Sequence, residues 1–217
     1  MKHYLFTTYY QAKSLERQAE YDFCINKNKV AGFDRIYILV ENIRDLNFAY
    51  NKFHVEVINI DRRPTFRDFF DFLSAESFQD SINVVANTDI FFLNMQQVDQ
   101  NLARLQKGKT CFALTRYDYH TNRPSDLHDV PDSQDTWVFN GNNKLDEVQD
   151  VNFTMGLAGC DNRLAFELQK VGFEVLNPSR SIYTYHYHDV PIRTNADHIG
   201  QQIVRIPPPY LLLPPTI

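Results

Sequence analysis

The order of apolar runs and amphipathic stretches up to Phe92 limits what this chain can fold into more than any other feature. HYLFTTYY, from His3, reads as a strand running into a Thr/Tyr loop, and SLERQAEYDFCINKNK carries apolar residues at a three-to-four spacing and ends before Gly32, as a helix does. RIYILVEN and VEVINID follow as strands. RRPTFRDFFDFLSAE is a turn and then a helix with Thr65 as its N-cap candidate, and INVVANTDIFF is a fourth strand. Strand, helix, strand, strand, helix, strand marks a largely parallel sheet covered by helices, an α/β layout of the nucleotide-binding type.

Beyond Phe92 the pattern is less regular. MQQVDQNLARLQK reads as a helix and TCFALTRYD as a strand, while the polar stretch from Tyr117 to Asn143, broken by Pro124, Pro131 and Gly141, reads as a long functional loop holding the only tryptophan. RLAFELQKVG is a helix with Asp161 or Asn162 as cap, and FEVLNPS and IYTYHYH are strand-like. The tail RIPPPYLLLPPTI has five of the ten prolines and reads as an extended strap, either a true terminus or the edge of a larger multidomain polypeptide. With 217 residues and no internal repeat, one domain is expected: 1–95 a nucleotide-binding half, 96–206 an acceptor and metal-closing half, 207–217 the tail.

Charge and cysteine usage narrow the function classes. A formal net charge of -5 without a basic stripe argues against nucleic acid as partner, because counterion release needs clustered Lys and Arg. Cys24, Cys111 and Cys160 are odd in number and unpaired in spacing, which fits reduced, buried thiols in a cytoplasmic compartment. The opening MKHYLFTTYY lacks a signal-peptide core, and no apolar stretch is long enough for a membrane span.

In an open parallel sheet, ligands bind beyond the carboxyl ends of the strands. Polar groups fall at these ends: Thr7, Thr8 and Tyr9; Glu41 and Asn42; Asp61 and Arg62; Asn87 and Asp89; and Arg116. Each alone reads as a turn or a cap; their common edge argues for a site. If NTD is extended, Asn87 and Asp89 project to one side, offering hard oxygen donors to Mg²⁺ or Mn²⁺. His186 and His188 share one face of IYTYHYH and could complete a shell better suited to Mn²⁺. Arg62, Arg67 and Arg116 could balance a diphosphate. In GLAGCDN, Gly156 and Gly159 permit close backbone approach, and Asp161 at a helix start could be a general base or simply a cap.

Together ANTDIFF, ALTRYD, SQDTWVF, GLAGCDNRLAFELQKVGFEVLNPS and YTYHYH resemble small GT-A type glycosyltransferases of bacterial polysaccharide loci and large viruses, including the amino-terminal domain of chlorella-virus enzymes. The resemblance covers most of the chain and is strongest from Ile82 to His188. It implies a Rossmann-like GT-A fold with a central, mostly parallel mixed sheet flanked by helices. It also implies a nucleotide-sugar donor, commonly UDP-linked, a glycan acceptor and a divalent metal, Mn²⁺ or Mg²⁺. The family's Asp-any-Asp signature is here Asn87-Thr88-Asp89, leaving Asp89 as the carried-over ligand and Asn87 as a ribose or water-mediated contact, with His186 or His188 closing the shell. Thr7, Thr8 and Tyr9 would cradle the nucleoside, with Thr88 beside them and Arg62, Arg67 and Arg116 on the donor side. Gln134, Asp135, Trp137 and Gly159 would line the sugar or acceptor pocket, and Asp161 matches the base of inverting members. If a viral source applies, the compartment is the host cytoplasm. Two rival readings are a nucleotidyltransferase, against which no Gly-rich, Lys-bearing phosphate loop follows the first strand, and a non-catalytic sugar-binding or scaffold domain with a degenerate metal site.

Overall fold

The computed structural model describes residues 1–41, 55–190 and 205–217. In chain order its elements are β1 (Lys2–Tyr9), α1 (Leu15–Asn28), β2 (Arg35–Val40), β3 (Val55–Asn59), α2 (Phe66–Leu73), β4 (Ser81–Ala86), β5 (Ile90–Phe91), α3 (Gln96–Gln100), α4 (Leu102–Leu105) and β6 (Thr110–Leu114). They continue with β7 (Tyr117–Tyr119), β8 (Asp126–Leu127), β9 (Thr136–Asn140), α5 (Cys160–Lys170), β10 (Glu174–Leu176) and β11 (Tyr185–Tyr187). A seven-stranded sheet has the order β10-β6-β9-β4-β1-β2-β3, and only β9 runs antiparallel to its neighbours. A four-stranded sheet, β5-β11-β7-β8, stands beyond its carboxyl edge.

Side-chain alternation along the strands divides the core into two faces. Tyr4 and Phe6 of β1, Val85 of β4, Cys111 and Ala113 of β6, and Trp137 and Phe139 of β9 point to the layer of α2 and α5. Leu5, Val84, Phe112, Leu114 and Val138 point to the layer of α1, α3 and α4. α2 buries Phe66, Phe69, Phe70 and Leu73, and each such side chain removed from water stabilises by about 1.5–3 kcal/mol. Thr65 caps it as expected: the Asp68 carboxylate accepts from the Thr65 backbone N–H at 2.7 Å and from its hydroxyl at 2.8 Å.

Several local expectations change. INVVANTDIFF is not one strand, because the chain turns after Ala86, closed by Ile90 N–H donating to the Asn87 carbonyl at 3.1 Å. TCFALTRYD divides at Thr115–Arg116 between the two sheets. MQQVDQNLARLQK breaks at Asn101 into α3 and α4, and the polar stretch 117–143 contains β7, β8 and β9. β9 was masked in the sequence by its polar flanks, but β4 and β6 leave a slot that it fills by antiparallel pairing. The tail lies extended against the body, where Ile206, Leu211, Leu213 and Thr216 N–H groups donate to the carbonyls of Ala158, Asn162, Pro131 and Asn177. All three cysteines are buried and free. Among the described residues no helix is long and apolar enough to cross a membrane.

Candidate active site

β1, β2, β4 and β6 are parallel, so their carboxyl ends share one edge, and β9, running the other way, starts there. Asp135 therefore enters the edge from the amino end of β9. A cavity of about 440 Å³ opens at this edge. Its walls include Thr8, Tyr9, Tyr10, Glu41, Asn87, Thr88, Asp89, Arg116, Asp135, Gly156, Gly159, Asp161, His186 and His188, together with Arg17, Arg63 and Arg205. Asn42 lies outside the described residues.

The turn after β4 is pinned to β1: Thr88 hydroxyl donates to the Thr8 carbonyl at 2.8 Å and lies 2.7 Å from the Thr8 hydroxyl. Thr88 thus fixes where Asp89 points. From Tyr185 through β11 to His188 just beyond it the residues alternate Tyr-His-Tyr-His, and the two imidazoles lie with ring centroids 5.4 Å apart. Pairing of β11 with β5 and β7 sets His186 opposite Ile90 and Asp118. One donor atom from each of Asp89, His186 and His188 lies within 4.8 Å of the others. His186 Nε2 is 3.1 Å from Asp89 Oδ2, and its Nδ1 is 3.4 Å from Asp118 Oδ1.

Charge is concentrated at this corner. Burial is the largest single influence on Asp89 and opposes ionisation, but His186 and then Arg17 overcome it and hold the carboxyl well below the usual range. For His186, burial works against the imidazolium, yet Asp89 and Asp118 together outweigh it and raise the group to about 9. Burial first, then the charges of Arg17 and His186, push His188 down and keep it neutral. His188 Nε2 is buried with no hydrogen-bond partner among the described residues, an arrangement that costs about 1–3 kcal/mol unless something binds it. A carboxylate and two imidazoles whose donor atoms converge, one imidazole carrying an unpartnered ring nitrogen, fit a borderline divalent cation such as Mn²⁺.

Across the cavity two carboxylates differ in environment. Asp135 accepts from Arg116 at 2.6 Å and from the Asn87 amide at 2.8 Å. Asp161, at the second position of α5, is lifted to about 8 by desolvation first and by the Asp135 carboxylate second. Desolvation together with a neighbouring carboxylate thus makes Asp161 a stronger proton acceptor than an ordinary aspartate.

Several predicted residues differ from expectation in place or in role. Trp137 is 1% exposed and packs edge-on against Phe66 in the core, so its indole offers no platform for a sugar. Gln134 is fully buried and its amide donates to the carbonyls of Pro131 and Leu213, anchoring the tail. Thr7 is buried within β1, and Thr8 and Tyr9 are the strand's last residues, not a loop; the Tyr9 hydroxyl donates to Asp22 at 2.5 Å. Arg62 pairs with both oxygens of Asp68, and Arg67 donates to the carbonyls of Val148 and Gln149; neither reaches the cavity. Asn87 reaches it, but its amide is engaged by Asp135. The cap of α5 is Gly159, not Asp161 or Asn162; its φ of 84° and a built Cβ only 3.0 Å from the Ile206 carbonyl require glycine for the tail's close approach.

Other cavity residues were missed. Arg63, next to the expected Arg62, lines the wall and donates to the Met155 carbonyl at 3.2 Å. Arg17 joins Asp89 from α1, and Arg205 comes from the tail. For Arg17 a signal existed: it continues the helical stripe of Tyr21, Cys24 and Ile25, and a charged residue in a buried stripe asks for a buried partner.

Neither a protein-family model nor a curated protein sequence matches the chain. Solved structures do. S. aureus TarS in complex with UDP-GlcNAc superposes with a TM-score of 0.56 at 12% identity over 90% of this chain and 61% of that one. The mannosyltransferase PcManGT from Pyrobaculum calidifontis, in complex with GDP-Man and Mn²⁺, gives 0.53 at 9% identity over 88% of this chain and 58% of that one. This chain has the GT-A fold. It spans about three fifths of the length of these structures. In this GT-A sheet the cavity occupies the edge where the strand ends converge, and Asn87, Thr88 and Asp89 are among the residues that line it.

Proposed function

We propose that the chain is a metal-dependent glycosyltransferase that moves a sugar from a nucleoside-diphosphate sugar, UDP-linked, to a hydroxyl of a glycan acceptor with inversion. The observation that carries this reading is that one cavity joins the corner where Asp89, His186 and His188 converge to the elevated carboxyl of Asp161. The nucleotide sugars bound to TarS and PcManGT, and the Mn²⁺ of the latter, support the donor class.

Asp89, His186 and His188 would hold the metal, which when bound supplies positive charge to the leaving diphosphate. Arg63, Arg205 and Arg116 line the same cavity and would receive diphosphate oxygens, Arg116 being already committed in part to Asp135. Thr8, Tyr9 and Thr88 form the nucleoside end. The Asp161 carboxylate takes the acceptor hydroxyl proton as the new C–O bond forms and the bond to the diphosphate breaks, the electron pair leaving with the diphosphate. A base near 8 is well matched to an alcohol at neutral pH, because it is strong and still partly ionised. Asp135, fixed by Arg116 and Asn87, maintains that basicity.

Calorimetry with UDP and GDP, each with and without Mn²⁺, checks the donor side. UDP is expected to bind only with Mn²⁺ present. Failure of both nucleotides to bind with the metal would rule out the proposal.

A further inference from the structure

Arg17 reaches the metal corner from α1 and is 5% exposed. One guanidinium nitrogen donates to Asp89 Oδ2, the oxygen that also faces His186. The other terminal nitrogen donates to Glu20 Oε2 at 2.5 Å and to the Tyr187 carbonyl at 3.1 Å. Glu20, itself 3% exposed, accepts the backbone N–H groups of Asp189 and Val190 on Oε1 at 2.8 and 2.9 Å. A buried chain, Asp89 to Arg17 to Glu20, thereby ties one expected metal ligand to the backbone just after another, His188. The Arg17 Nε is buried with no hydrogen-bond partner among the described residues, and the side chain also borders the large cavity.

A purely structural ion pair of this depth is stable when every donor is satisfied. Here one donor is left over among the described residues, and the pair occupies Asp89 Oδ2, the oxygen that faces His186 in the corner a cation would enter. We propose that Arg17 is a latch on the metal site: it neutralises Asp89 when no metal is bound, yields Asp89 to the arriving cation, and turns its freed guanidinium to the donor's diphosphate. This rests on the metal-dependent reading above. A guanidinium and a dication cannot both use the same carboxylate oxygen at close range without strong repulsion. Metal alone therefore binds weakly, and a diphosphate that receives the displaced Arg17 strengthens it, a reciprocal coupling between metal and nucleotide.

The test is calorimetric titration of Mn²⁺ alone into the native protein and into the double variant Arg17→Gln/Glu20→Gln, which removes both charges so that neither is left buried and unpaired. The double variant is expected to bind Mn²⁺ about tenfold more tightly, and UDP should enhance its Mn²⁺ affinity less than in the native protein. Equal or weaker Mn²⁺ binding would overturn the latch. Mn²⁺-dependent UDP binding by the native protein would still uphold the glycosyltransferase reading, so the two fail separately. Should the double variant not fold, a crystal structure of the native protein with Mn²⁺ decides: Arg17 withdrawn from Asp89 supports the latch, and Arg17 still bonded to Asp89 Oδ2 beside the metal refutes it.

Discussion

Asp161→Asn is expected to cut sugar transfer by about 10²-fold or more while Mn²⁺-dependent UDP binding stays near the native value, since general-base catalysis contributes on this scale. The amide fits the same space at the start of α5 but accepts no proton. In the native protein, transfer should rise with pH through about 8, where Asp161 ionises, and the variant should lack this inflection. Stability moves in the opposite direction. The folded-state value is above the unfolded carboxyl value of about 3.9, so Asp161 stays protonated in the fold after it has ionised in the unfolded chain. Its contribution is fully present below the unfolded value and is lost as pH rises through about 8. Thermal unfolding at or above that pH should therefore show Asp161→Asn more stable than the native chain, although it transfers poorly. Unchanged transfer would leave Asp161 a residue of the helix start and no more.

Asp89→Ala is expected to abolish metal-dependent nucleotide binding, read by calorimetry with UDP and Mn²⁺. It removes the only carboxylate of the triad and also strips Arg17 and His186 of their shared counter-charge. Losing one partner of a buried ion pair typically costs about 3–5 kcal/mol, so a fall in unfolding temperature should accompany the loss. Asp89→Asn keeps the shape with a smaller steric change, and its UDP affinity should be equally insensitive to Mn²⁺. Native affinity in either variant would refute the metal assignment.

Much of this architecture was legible in the sequence. The strands at Arg35, Val55 and Ile82 were found because their apolar runs are long for their polar flanks. Asp89 was singled out because it follows a strand end, although NTD is a turn and not the extended segment assumed, and the two histidines because period-two alternation puts them on one face. Trp137 was misplaced because TWVFN is short and lies within a polar stretch; only the slot between β4 and β6 makes it a strand and its indole part of the core. Arg62 and Arg67 resembled phosphate contacts, but other partners take them, the Asp68 carboxylate six residues on for Arg62 and the distant carbonyls of 148 and 149 for Arg67. Arg63 and Arg205 reach the cavity through the turn before α2 and the return of the tail, which no local spacing encodes.

Nucleotide release from a panel of UDP- and GDP-sugars, with Mn²⁺ and again with the metal chelated, tests the central claim most directly. Slow donor hydrolysis releasing UDP is expected with Mn²⁺ and should stop on chelation. No release or binding of any nucleotide in the presence of Mn²⁺ would contradict it.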